Sequence, residues 1–177
     1  MTEAEKLARQ LLENEGVLVP PVPVADLARR QGAQLSFEPF KGGISGMLYR
    51  DPKRKVIGVN SFHAPTRQRF TIAHELGHLL LHETRAMIVD THVYRRDEVS
   101  SRGTKKEERE ANAFAAELLM PADFVEKAVD ELIDKQPTIT ANQLVGRLAV
   151  QFEVSEQAME IRLGNLDILS PLIVEGG

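Results

Sequence analysis

The chain contains no cysteine. That one absence removes disulfides, thiolate metal ligands and cysteine nucleophiles together, and it fits a reducing compartment. Long apolar runs are missing as well. None approaches the roughly 20 residues needed to span a bilayer. The opening stretch, Met1-Thr2-Glu3-Ala4-Glu5-Lys6, is acidic where a secretory signal would be basic and then apolar. These absences predict a cytoplasmic protein without membrane attachment. A dominant charge of one sign is also lacking. The formal net charge is −4, so no global field favours nucleic acid or an anionic membrane. There is no internal repeat and no low-complexity tract. What remains is 177 residues, 42% hydrophobic and 27% charged. This is the balance of a soluble globular protein, with length for one good core or a domain plus a small appendage.

Thr2 and Glu5 have capping-box spacing, and Ala4, Leu7, Ala8, Leu11 and Leu12 follow with helical period until Gly16. "VPPVP" (19–23) is an extended joint, and a second short helix runs through Ala28 and Gln31 to its stop at Gly32. The texture then changes. "AQLSFEPF", "ISGMLYR" and "KVIGVN" read as three short strands, the last two joined by a turn, "DPKR", with Pro52 at its second position. They predict a small antiparallel three-stranded sheet, with Gly42 and Gly43 in the first connection. Pro65 and Thr66 open a helix that runs to about His82. A loop of about 83–103 follows, of a length that in compact domains is often functional. "TKKEEREANAFAAELLMP" is a further helix, stopped by Pro121. Three more helical segments follow, the last two joined by a tight turn near 152–155. The expected architecture is α+β and mostly helical. A domain over 1–121 carries the sheet, and a helix-turn-helix-like subdomain over 122–177 packs on it.

Within "FTIAHELGHLLLHE" (70–83) stand His74, Glu75 and His78. On a helix the two histidines lie at i and i+4, so their rings project from one face. That is the spacing two imidazoles need to hold one zinc ion at about 2.0–2.1 Å. Glu75 is one residue further round, placed to take a proton from an attacking water. Gly77 costs about 1 kcal/mol of helix propensity relative to alanine, which close approach of another backbone would explain. The competing reading is an ordinary helix. Three of the five histidines lie on this one segment, and the pattern can arise by chance.

A catalytic zinc needs a third protein ligand, and without cysteine it must be His, Asp or Glu. "LLLHETR" after His78 rules out a His-x-x-Gly-x-x-His continuation, and His82 is two turns from His74. The helix after the loop is the better source. Its buried face runs through Ala111, Phe114, Ala115 and Leu118. At 3.6 residues per turn Glu107 and Glu108 flank that face, Glu110 lies near its border and Glu117 points to water. A carboxylate edging into an apolar face is costly unless paired or metal-bound. Asn112, one turn after Glu108, can orient it or meet a ligand histidine. The geometry prefers Glu108, then Glu107. Taken alone, the glutamates read as a solvated helix start.

"RQRFTIAHELGHLLLH" followed by "EREANAFAAELLMP" resembles the ImmA/IrrE family of zinc metallopeptidases over roughly residues 1–169. The resemblance implies a gluzincin-like endopeptidase whose third ligand is the first Glu of Glu-x-x-Ala-Asn, which is Glu108 here. It further implies a protein substrate, a helix-turn-helix repressor whose cleavage releases stress or mobile-element genes. Some members carry an additional sensor domain, for which 177 residues leave no room.

The mechanism expected is hydrolysis of a peptide bond, with Glu75 moving the proton from water to the leaving amine. The substrate would add as a strand along an edge near Ser45 to Tyr49. Tyr94 and His92 are candidate oxyanion donors, and Arg95 and Arg96 beside them read as solvated. Imidazole and carboxylate ligands also suit manganese or another divalent metal. The C-terminal helix pair has Glu156 and Glu160 against Arg162, which speaks against direct DNA binding. Two other classes stay open. One is a non-cleaving, antitoxin-like module that binds a repressor or toxin. The other is a closed structural zinc site with His82 or His92 as fourth ligand. The sequence leaves the oligomeric state open.

Overall fold

The structure is a computed structural model that describes residues 1–82, 87–91 and 101–169 and, for 87–91 and 101–104, the backbone alone. The chain is α+β and mostly helical. Helix α1 (Glu3–Asn14) starts on the Thr2–Glu5 capping box, both halves of which are formed. Helix α2 (Val24–Arg30) follows, ended by Gly32 at φ +84°, where a side chain would be strained.

Strands β1 (Ala33–Glu38), β2 (Ile44–Arg50) and β3 (Lys55–Asn60) fall where the alternation predicts them. The sheet differs from the expected one in two ways. A fourth strand, β4 (Met87–Thr91), is formed within the span read as loop, and the order is β1-β3-β2-β4. The β1–β3 pair is parallel, while β2 pairs antiparallel with both β3 and β4. The hairpin is held by Asp51 Oδ1, which accepts from the backbone N–H groups of Lys53 and Arg54 at 2.8 and 2.9 Å. Placing β4 on its far side makes β2 an interior strand. The expected substrate edge along Ser45 to Tyr49 is therefore already occupied, and the outer strands are β1 and β4.

Helix α3 (Pro65–Leu81) crosses the sheet and packs against α4 (Ser101–Leu119). Pro65 sits in the first turn of α3, where its missing N–H costs nothing. Arg69 of α3 donates to the carbonyls of Val22 and Glu153, tying the helix start to two distant segments. At the other end, Arg50 of β2 donates to the carbonyls of Leu79 and His82, two acceptors that the helix end leaves over, and also reaches the His78 carbonyl, which already accepts the His82 N–H.

Helices α5 (Ala122–Lys135), α6 (Ala141–Phe152) and α7 (Glu156–Asn165) complete the chain. Glu153, at φ 53°, makes the tight turn between the last two. One core runs from Ala4 and Leu12 through Leu48, Ile57, Leu76, Phe114 and Leu118 to Phe152 and Leu163. Glu117 corrects the sequence reading. It does not face water but is 2% exposed. Arg9 of α1 meets it at 2.6 Å and Arg162 of α7 meets its other oxygen. The two guanidinium groups supply the compensation that a buried carboxylate requires. Arg162 is thereby turned inward and also donates to the Met120 carbonyl. Among the described residues no helix is long and apolar enough to cross a membrane.

Candidate metal centre

The middle of α3, Thr71 to Leu79, is buried throughout, polar residues included. Two close approaches make this possible. At Gly77 a Cβ would lie 3.1 Å from the Phe114 ring and 3.2 Å from the Ala111 α-carbon. The expected backbone approach is thus that of α4. On the sheet side, a Cβ at Gly46 would lie 2.4 Å from Thr71 Cγ2 and 2.9 Å from Glu75 Oε1. Gly46 lets β2 press against the turn that carries Glu75. Sequence reasoning missed it, although an isolated glycine inside a strand is the known signal of such an approach.

His74 and His78 meet edge to face, with ring centroids 4.7 Å apart. Their Nε2 atoms are 3.1 Å apart. Glu108 of α4 spans both, with Oε2 at 3.2 Å from His74 Nε2 and Oε1 at 3.2 Å from His78 Nε2. Three electron-pair donors from two helices therefore converge on one point. Tetrahedral bonds of about 2.0–2.1 Å to a zinc ion separate neighbouring ligand atoms by about 3.3 Å, so the triangle fits such an ion. Lone pairs crowded in this way repel unless a cation or a proton lies among them, which is the chemistry of a metal site. The histidine side chains are 5% and 1% exposed and that of Glu108 is 42% exposed. The group is closed behind the rings and open on the carboxylate side. Burial pushes the Glu108 carboxyl up, but in the metal-free site the hydrogen bonds that His74 and His78 offer when protonated outweigh it and hold the group well below the usual carboxylate range. Among the described residues, His74, His78 and Glu108 form the one cluster with this capacity.

The outer nitrogens of the rings are also engaged. His74 Nδ1 lies 3.0 Å from Asn112 Oδ1, so of the two uses expected for Asn112 the contact with a histidine is the one formed. His78 Nδ1 lies 3.1 Å from His82 Nδ1. His82 therefore approaches the back of the His78 ring, away from the triangle, and does not supply a fourth ligand. Glu75 lies fully buried next to His74, with both carboxylate oxygens shielded from solvent. Glu107, the second choice for the third ligand, is not in the cluster. His92 and Tyr94 lie outside the described residues.

The chain is similar to known proteins over most of its length. The family model for the IrrE N-terminal-like domain of peptidase M78 matches residues 28–164. The radiation response metalloprotease IrrE of Deinococcus deserti is 35% identical over 130 residues, 71% of this chain and 43% of that protein. The protein of the same name from Deinococcus radiodurans is 35% identical over 125 residues, 70% of this chain and 34% of that protein. The chain thus covers less than half the length of either relative. A Mycobacterium tuberculosis transcriptional regulator has a similar fold, with TM-score 0.62 at 19% identity over 93% of this chain and 47% of that one.

Proposed function

The chain belongs to the IrrE N-terminal-like family of peptidase M78, and on that premise we propose that it is a zinc-dependent endopeptidase whose substrate is a helix-turn-helix transcriptional repressor. The observation that carries the reading is the convergence of His74 Nε2, His78 Nε2 and Glu108 on one point, with the buried Glu75 next to His74 on the same helix. In this reading His74, His78 and Glu108 hold the metal. A zinc ion bound there supplies polarisation of the scissile carbonyl and a lowered pKa for water. Glu75 takes the proton from the attacking water and delivers it to the leaving amine. The exposed side of Glu108 is where a peptide reaches the site. If the substrate adds as a strand, β1 and β4 are the outer strands it can join.

The repressor as substrate rests on the family resemblance, and its loss would release the genes it silences. The test is to incubate the zinc-loaded protein with the helix-turn-helix repressor encoded nearest its gene and follow both by intact-mass spectrometry. One discrete cut, absent with Glu75→Gln, is the expected result. Tight binding without a cut, equal for Glu75→Gln, would replace the peptidase by a non-cleaving binding module.

A further inference from the structure

We propose that His82 and Glu110 are positioning residues for the metal centre: they fix the ring orientation and tautomer of His78 and so raise the affinity of the site for zinc. The inference rests on His78 being a metal ligand, as set out above.

The three groups form a line from one helix to the other. His78 Nδ1 lies 3.1 Å from His82 Nδ1, and His82 Nε2 lies 3.0 Å from Glu110 Oε2. Only one assignment of protons satisfies this line while leaving His78 Nε2 a lone pair for a metal. The Glu110 carboxylate can only accept, so His82 Nε2 carries a proton and donates it. His82 Nδ1 is then an acceptor, so the proton on His78 sits on Nδ1 and is donated to it. The Nε2 of His78, 3.2 Å from Glu108 Oε1, is left bare. A carboxylate at the far end pulls proton density along the line and makes His78 a stronger donor, which is the effect of an outer carboxylate on a metal-bound imidazole. His74 is held differently, by the neutral Asn112 amide oxygen at 3.0 Å.

The local backbone is arranged for the contact. His82 is the C-cap of α3, at φ −125° and ψ 74°, so its ring leaves the helical path. Its N–H still bonds to the His78 carbonyl at 3.1 Å, and the Arg50 guanidinium holds the carbonyls of both residues. The His82 ring is buried, tilted 52° to that of His78 with centroids 5.2 Å apart. Glu110 is in turn approached by Lys106 at 3.5 Å. A surface ion pair that merely closes the helix end would not need a buried imidazole in its middle.

The test uses the whole chain and zinc alone. Zinc affinity is measured by competition with a chromophoric chelator for wild type, His82→Leu, His82→Asn, Glu110→Gln and the double variant His82→Leu/Glu110→Gln, with thermal melts of the metal-free forms alongside. Loss of such an outer partner weakens metal binding by about 10–100-fold. His82→Leu should lie in that range, and His82→Asn, which keeps an acceptor oxygen near Nδ1, should recover part of it. The double variant should bind no worse than His82→Leu, because both act through one ring. The metal-free melt of Glu110→Gln should match wild type. Zinc affinities of His82→Leu and Glu110→Gln within about twofold of wild type would overturn the inference, as would losses that add in the double variant. Should His82→Leu not fold, Glu110→Gln, a change on a half-exposed side chain, decides the matter alone. If wild type takes up no stoichiometric zinc, or His78→Ala binds it equally well, the metal centre itself fails and this inference falls with it.

Discussion

The α-carbon of Gly46 faces the carboxylate of Glu75 across the join between β2 and α3, with no room for a methyl group between them. An added Cβ would also meet the Thr71 methyl at 2.4 Å and the Gly58 carbonyl at 3.2 Å. Gly46→Ala should therefore cost about 1–3 kcal/mol, the usual penalty for overpacking. For a chain of this length that lowers Tm by about 2–4 °C per kcal/mol. Adding Thr71→Ser removes the nearest obstacle and should restore most of the melting temperature. It leaves the contact with Glu75 Oε1, so peptidase activity should stay low in the double variant. Full recovery of both would show that Gly46 matters for packing alone.

Gly77 and Gly164 are both helical glycines, and alanine should act on them in opposite directions. Alanine gains about 1 kcal/mol of helix propensity over glycine. At Gly164 nothing lies within 4 Å of the added Cβ, so the gain is realised and the protein is stabilised. At Gly77 the Cβ meets the Ala111 backbone at 3.2 and 3.3 Å as well as the Phe114 ring. Backbone does not yield as a side-chain end does, so Gly77→Ala should be destabilising despite its better propensity. Urea midpoints for the two variants, compared at equal m-value, check the sign of each.

The reach of the sequence can be judged from these same helices. Period locates α4 because it buries an apolar stripe, and Glu108 is read from its place beside that stripe; α3 is buried all round in its middle, so there it is the i, i+4 spacing of His74 and His78 that is legible. What stays hidden depends on partners distant in the chain. Glu117 reads as solvent-facing because its compensating Arg9 lies 108 residues away and Arg162 lies 45 away. The order β1-β3-β2-β4 is hidden for the same reason, since alternation marks a strand but not its neighbour. By spacing, His82 stands two turns from His74, too far along its helix to join it on one metal. It lies instead against the opposite nitrogen of the ring between them, a relation that spacing does not express.

The Arg9–Glu117–Arg162 cluster gives a prediction about stability that is independent of the metal. Glu117→Leu leaves the buried Arg162 without its carboxylate and should cost about 3–5 kcal/mol. Replacing the Glu117–Arg162 pair together, with Leu and Met, should recover much of that loss, because an apolar pair of similar volume avoids desolvating two charges. Urea denaturation of the single and double variants measures the coupling. Additive losses would mean that the two side chains stabilise the fold separately.

Metal binding should appear directly as thermal stability, and its dependence on individual carboxylates separates the roles of three glutamates. A ligand that binds only the folded state stabilises it by about 4 kcal/mol when its free concentration is a thousandfold above Kd. At about 2–4 °C per kcal/mol, zinc should raise the melting temperature of the metal-free protein by roughly 8–16 °C under those conditions. Glu108→Ala removes a carboxylate that meets both His74 and His78, so most of that rise should disappear. Glu107→Ala, the neighbour outside the cluster, should keep it. Glu75→Gln should also keep the full rise while losing peptidase activity, because a base beside the metal is needed for proton transfer and not for binding. A Glu75→Gln protein that no longer responds to zinc would make Glu75 a ligand and shift the reading of the centre from catalysis to structure.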